Sequence, residues 1–289
     1  MEKQSFENFV CQNFKEKYQQ VALQMIKPTI RLHTEVKSEA EIPIGYTKIG
    51  GYPDLPPEFE WPASKYTNEP LWFVAQIKLE EVKDWDKEKM LPITGILYFF
   101  AIYDHGHVMY FDGDTTTLIR RSAPIELQLG KRNWLQRIFT REERKIFPAC
   151  SVSIRTEYTL PYWPALYKAL SGDYSKEEDV VLDIDNYFYD QELLLNEKEH
   201  ISRHLLLGYA TPIQSEYIES SPVTEVVDWD KLRKEDIAKI NEWCLLFQVD
   251  SDDNTKMNWV DGGRIYFLIE KDKLAKKDFT NVYVTMECY

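Results

Sequence analysis

Two short blocks of this chain, Gly95-Ile96-Leu97-Tyr98-Phe99-Phe100 and Gly263-Arg264-Ile265-Tyr266-Phe267-Leu268, share the pattern Gly-x-aliphatic-Tyr-Phe-apolar. Each is preceded by an apolar run that carries a single glutamine: Val74-Ala75-Gln76-Ile77 before the first and Leu246-Phe247-Gln248-Val249 before the second. Further upstream stand Gly51-Tyr52-Pro53 and Gly208-Tyr209 with Pro212, in the same order. A recurrence of this length is the mark of a duplicated supersecondary unit whose copies bury a shared core. The expected fold is therefore α+β, with mixed or antiparallel sheets from two diverged β-rich units, over about 28–130 and 148–289, inside one large domain of residues 1–289. A glycine ahead of an apolar strand allows a positive φ at the turn into it. A buried glutamine has to satisfy two donors and an acceptor, so Gln76 and Gln248 are expected to bond neighbouring backbone or each other. Trp72 lies four residues before Gln76 and Trp243 five before Gln248, so the two tryptophans are equivalent only across a bulge.

Apolar residues from Phe6 to Ile26 recur at three and four, which predicts an amphipathic N-terminal helix ending before Pro28. Strands are predicted over 29–36, 71–79, 95–103, 107–111, 151–160, 204–210, 243–249, 264–269 and 282–286. Asp104-His105-Gly106 turns the hairpin, and helices cover 80–89 and 176–200. The helices do not alternate regularly with the strands, which favours α+β over a doubly wound sheet. Residues 50–62 hold four prolines and two glycines, so they form an ordered loop, and Tyr52, Leu55, Phe59 and Trp61 hold that loop against the core.

The net charge of −13 repels phosphate backbones, so nucleic acid is excluded unless the basic residues are segregated. The one concentration of them, 131–145, reads as an amphipathic helix with a solvated basic face. Four scattered cysteines form no CxxC pair and read as reduced, mostly buried thiols. The N-terminus lacks a signal-peptide pattern, and the longest apolar run, 96–103, is too short to cross a bilayer. The cytoplasm is the expected compartment.

The runs IGGYPDLPPEFEWP, LWFVAQIKL, LPITGILYFF, HLLLGYATPIQ, and the stretch from WCLLFQVDSDD to WVDGGRIYFLI resemble the YwqG-like family of bacterial proteins, from Ile49 to the C-terminus. That resemblance implies an α+β fold, a domain of unknown function with no catalytic residues to carry over, and a protein-binding role of the immunity type.

Several residues are candidates for chemistry. Asp250, Asp252 and Asn254 have the spacing of an EF-hand start, with Asp261 at the twelfth place, so the loop offers oxygen ligands to a divalent cation such as Ca²⁺. Thr255 replaces the turn glycine of that motif, and strands rather than helices flank it, so an acidic hairpin loop is the competing reading. His200 and His204 stand four apart, but the zincin glutamate is absent; His105 and His107 sit at a hairpin tip. Tyr52, Trp61 and Trp259 are the residue types that anchor a ligand or partner. No GxSxG, P-loop or GxGxxG motif occurs. Three readings follow. The first is a non-catalytic protein-binding molecule for a basic partner, immunity- or regulator-like, with no cofactor. The second is a metal-assisted hydrolase built on Asp250, Asp252 and Asp261. The third is a small-ligand sensor whose pocket, between the two units, is lined by Gln76, Gln248 and aromatics.

Overall fold

A computed structural model of the chain describes residues 3–129, 146–161, 202–215, 217–227, 231 and 233–289. The predicted helices over 131–145 and 176–200, with His200, lie outside these residues. Ten strands form one antiparallel sheet, nearly closed into a barrel. They are β1 (Lys27–Val36), β2 (Lys48–Ile49), β4 (Trp72–Lys78), β5 (Ile96–Ile102), β6 (His105–Phe111), β8 (Cys150–Thr159), β9 (His204–Leu206), β10 (Trp243–Asp250), β11 (Arg264–Glu270) and β12 (Tyr283–Glu287). The strands β3 (Asp54–Leu55) and β7 (Ile119–Arg120) pair separately. The end strands β6 and β12 meet, and a methyl group added at Gly106 would lie 2.7 Å from the Val284 side chain.

The sheet order is β12-β11-β10-β9-β1-β8-β2-β4-β5-β6. Outward from β8 run β2, β4, β5 and β6; outward from β1 run β9, β10, β11 and β12. The registers on the two sides correspond. Lys48 faces Gln76 and Gln76 faces Tyr98, while Leu205 faces Gln248 and Gln248 faces Tyr266. Both inner hairpins carry an irregularity at the same place, between Phe73 and Ala75 and between Leu245 and Phe247. Trp72 and Trp243 nevertheless fall out of step: Trp72 is buried in the large central cluster, and Trp243 packs on a separate outer one. Where the chain leaves β2 and β9 it turns alike, with positive φ at Gly50 and Gly51 and at Leu207 and Gly208.

One face of the sheet turns inward. Ile30, Leu32, Ile49, Ala75, Leu97, Phe99, Leu206, Phe247, Ile265 and Phe267 form a single cluster across both sides. Phe99 joins them, with its ring centroid 4.6 Å from Phe247 and 5.1 Å from Phe267. The outer faces of β4–β5 and β10–β11 are also buried, under Leu55 and Leu118 on one side and Ala210 and Ile218 on the other. Strands covered on both faces read as continuous apolar runs, which is why β4, β5, β10 and β11 stand out in the sequence.

Several local expectations shift. The N-terminal helix is two helices, α1 (Lys3–Asn13) and α2 (Glu16–Gln24), although the apolar period continues through the break at Phe14 and Lys15. The helix predicted over 80–89 is the single turn Leu79–Val82. The strand predicted over 204–210 stops at Leu206, because Leu207 takes a φ of 60°. The β5–β6 hairpin turns at Tyr103 and Asp104, with Tyr103 at φ 53°, so His105 and Gly106 belong to β6. Gly263 has no positive φ; Gly262 does, at 65°. Two of the four cysteines, Cys150 and Cys244, are buried, while Cys11 is exposed and Cys288 half-buried.

Candidate functional site

Gln76 and Gln248 are both fully buried, and each is completely used by its own surroundings. Gln76 Oε1 accepts from the Asp54 N–H at 2.8 Å, and its Nε2 donates to the Tyr46 carbonyl and to Asp54 Oδ2, both at 2.8 Å. Gln248 Oε1 accepts from the Thr211 N–H at 2.9 Å, and its Nε2 donates to the Arg203 carbonyl at 2.9 Å and to Thr211 Oγ1 at 2.7 Å. The facing tyrosines finish both sets: Tyr98 donates to the Asp54 carbonyl at 2.6 Å and Tyr266 to that of Thr211 at 2.9 Å. Burial holds both phenols well above their ordinary value, so they stay donors. Of the two partners anticipated for the glutamines, neighbouring backbone is the one found. Gln76 and Gln248 pin the covering loop of their own side of the sheet and do not meet in a shared cavity.

On the β4 side the loop is fixed by charge as well. Asp54, fully buried, takes Arg120 Nε at 2.8 Å, Lys48 Nζ at 3.2 Å and the Gly45 N–H at 3.0 Å. Burial alone would raise its pKa, but the Arg120 hydrogen bond and the Lys48 charge outweigh it and hold the carboxyl below its usual range. Lys48, also fully buried, is pulled down by desolvation despite Asp54 and Glu39 beside it.

Of the residues considered as cation ligands, Asp250 and Asp252 have their carboxylates engaged by other groups. Asp250 pairs through Oδ1 with Arg264 Nε at 3.1 Å and accepts the Arg203 N–H on Oδ2 at 2.8 Å. Asp252 Oδ2 lies 3.1 Å from His204 Nε2 and takes the Thr34 hydroxyl at 2.8 Å, while its Oδ1 accepts the Asn254 N–H at 2.9 Å. The Asp250 N–H donates to His204 Nδ1, so the His204 proton sits on Nε2 and points at Asp252. Burial pushes the Asp252 carboxyl up, and the His204 and Thr34 hydrogen bonds with the Asn254 N–H bring it below its usual value. Asn254 donates from Nδ2 to the Thr34 carbonyl at 3.1 Å, and Asp261 is exposed, its own carbonyl taking the Tyr289 N–H. Among the described residues no three His, Cys, Asp or Glu side chains are grouped to hold a metal ion.

The aromatic candidates turn toward the core. Trp61 donates from Nε1 to the Leu71 carbonyl at 2.8 Å and packs edge-on against Phe100, with half-buried Phe59 beside it on Tyr98 and Phe111. Half-buried Tyr52 packs on the central cluster, its N–H held by Glu39 Oε1. Trp259 is buried and stacked on Trp72 at 6.4 Å and 13°, with Phe147 edge-on to both. Both indole N–H groups are buried without an acceptor among the described residues, a feature that the sequence did not signal. His105 lies against Tyr66 with ring centroids 4.6 Å apart, and burial lowers the His107 pKa.

One concave feature was also missed. A cleft of about 210 Å³ opens beside β8, lined by Lys37, Glu41, Tyr46, Thr47, Glu81 and Ile154 among others. Its residues come from five separate stretches and share no motif.

The fold and these networks define an α+β protein whose antiparallel sheet, nearly closed into a barrel, is braced by buried polar clasps. Residues 47–288 match the model of the family described as "Domain of unknown function (DUF1963)", and the chain belongs to that family. No curated protein matches the chain. The matched span begins after β1, although β1 lies at the middle of the sheet between β8 and β9. Among the described residues no helix is long and apolar enough to cross a membrane.

Proposed function

We propose that the chain is a non-catalytic protein-binding molecule of the YwqG-like branch of its family, working in the cytoplasm as an immunity- or regulator-like partner of a basic protein. The observation that carries this reading is how the interior is used. Phe99, Phe247 and Phe267 fill the seam between the two sides of the sheet, and the polar residues that would line a pocket there are spent on loop anchoring. Recognition is thereby left to the outside, where Glu41, Glu58, Glu60, Glu88, Asp112 and Asp253 are exposed on a chain of net charge −13. An acidic surface speeds the capture of a basic partner through long-range attraction, and salt screens that attraction.

The same reading treats the molecule as one domain made of two diverged copies, over about 28–130 and 148–289. The corresponding registers, hairpin irregularities and glutamine–tyrosine clasps support it. The test is a pull-down from the native host at low and at high salt. A basic protein retained at low salt and released at high salt is expected; retention of none at low salt defeats the proposal.

A further inference from the structure

The sheet has an opening that a short extended chain fits. Between β4 and β8 the wall is the two-residue strand β2, whose partners on β8 are only Ser151 and Cys150. Neighbouring strands are spaced by about 4.8 Å, so where β2 ends β4 and β8 stand roughly two spacings apart, the width of one missing strand. Before Lys48 the chain runs along the β4 side of this gap, where Tyr46 and Thr47 line the cleft and Thr47 Oγ1 takes the Lys78 N–H, and by Gly45 it has turned to Asp54 on the outer face. From Val152 onward β8 has no strand on that side among the described residues, and the cleft of about 210 Å³ lies there. Its far end is marked by Trp85, whose carbonyl takes the Thr156 hydroxyl. The open length from Ser151 to Thr156 is roughly 17 Å at the ordinary rise of a strand.

The corresponding place on the other side of the sheet is sealed. Arg31 faces Leu205 as Ser151 faces Lys48, so Thr34 and Ile154 stand at matching positions beyond them. Thr34 is capped by the loop after β10: Asn254 donates to its carbonyl, and Asp252 bridges it to His204. At Ile154 no such cap forms among the described residues. Thr47 stands where His204 does, and Val152 and Ile154 are only half-buried in the cleft. A strand edge with free N–H and C=O groups beside an apolar floor is the template for adding a strand.

The rim gives the sign of the occupant. Glu81 Oε2 accepts the Thr47 N–H at 2.8 Å and Glu41 Oε2 the Ser38 N–H at 3.0 Å, which fixes both carboxylates. Among the described residues the second oxygen of each has no partner, and Lys37 is the one cation in the lining.

We infer that the edge of β8 from Val152 to Thr156 binds a short extended segment of a partner protein by strand addition, with an aliphatic side chain on Val152 and Ile154 and a Lys or Arg at Glu41 and Glu81. This rests on the protein-binding reading and names its surface.

The test uses the full chain and two labelled probes, Ac-Lys-Val-Lys-Val-Lys-NH2 and Ac-Glu-Val-Glu-Val-Glu-NH2. Fluorescence anisotropy is expected to show the lysine peptide binding at least about tenfold more tightly than the glutamate peptide. Hydrogen exchange is expected to slow at residues 152–156 when the lysine peptide is bound. The Glu41→Gln, Glu81→Gln double variant keeps an acceptor for both backbone N–H groups, and is expected to lose about tenfold in affinity with its melting temperature unchanged. No binding of the lysine peptide at millimolar concentration, equal binding of the two peptides, or unchanged exchange at 152–156 each overturns the inference. A salt-sensitive basic partner that the double variant still retains fully also overturns it while leaving the protein-binding reading in place. A peptide that binds as described, with no partner retained from the host, upholds the strand-addition site and defeats only the broader reading.

Discussion

A carboxylate removed from water is tolerable only when cations and N–H groups replace its hydration, and Asp54 and Asp252 are held in this way. Both carboxyls titrate below the ordinary value of 3.8. The unfolded chain therefore binds more protons than the folded one in the acid range, and stability rises with pH there. The contribution is complete above about pH 5 and is lost as the pH falls through 3.8 toward the folded values. Urea midpoints measured from about pH 7 to about pH 3 are expected to fall steeply at the acid end. Asp54→Asn, which leaves Lys48 buried with a weaker partner, is expected to cost about 3 kcal/mol at neutral pH and to flatten the acid limb. An unchanged limb would show that Asp54 is not among the groups responsible. At this scale the sequence announced only that Gln76 and Gln248 needed partners. It contained nothing to say that Asp54 and Thr211 would supply them, because neither is adjacent in the chain.

Glycines mark where elements approach each other, and their costs separate two physical causes. A Cβ at Gly263 would stand 2.2 Å from the Glu287 carbonyl oxygen and 2.6 Å from that of Trp259, both backbone atoms that cannot swing away. At Gly262 the φ is 65°, but the nearest atom is a Tyr289 ring carbon at 3.4 Å. Gly262→Ala is expected to cost about 1 kcal/mol from the left-handed backbone alone. Gly263→Ala is expected to cost about 3 kcal/mol or more through displacement of β12 from β11. Chemical denaturation of the two variants decides this; equal costs would show that β12 yields freely. The apolar strands between such glycines were legible in the sequence, since their runs are continuous and bounded. The break between α1 and α2 was not legible, because Phe14 and Tyr18 keep the helical period across it. Nor was the end of β9, where Leu207 is an ordinary strand residue held at positive φ.

One central cluster is shared by both sides of the sheet, in addition to the smaller outer cluster that each side has of its own. Phe99 touches Phe247 and Phe267, and its truncation opens a cavity where the two sides meet. Phe99→Ala is expected to lower stability by about 3 to 5 kcal/mol. The described residues are expected to unfold together, with near-UV and far-UV circular dichroism giving one midpoint. Separate midpoints in the wild-type protein would show that the seam does not couple the sides.

The sequence by itself determined the strands buried on both faces, the positive-φ glycine at Gly95, and the demand that two buried amides be satisfied. Each of these follows from local periodicity or from the chemistry of a single residue. Only the tertiary structure decided that β1 pairs with β8 and β9, that Asp250 meets Arg264, and that Asp252 meets His204. It also decided that, among the described residues, the slot beside β8 stays open while its counterpart beside Thr34 is capped. These pairings join segments far apart in the chain, and no local pattern encodes which distant edge, cation or loop will come to rest against a given residue.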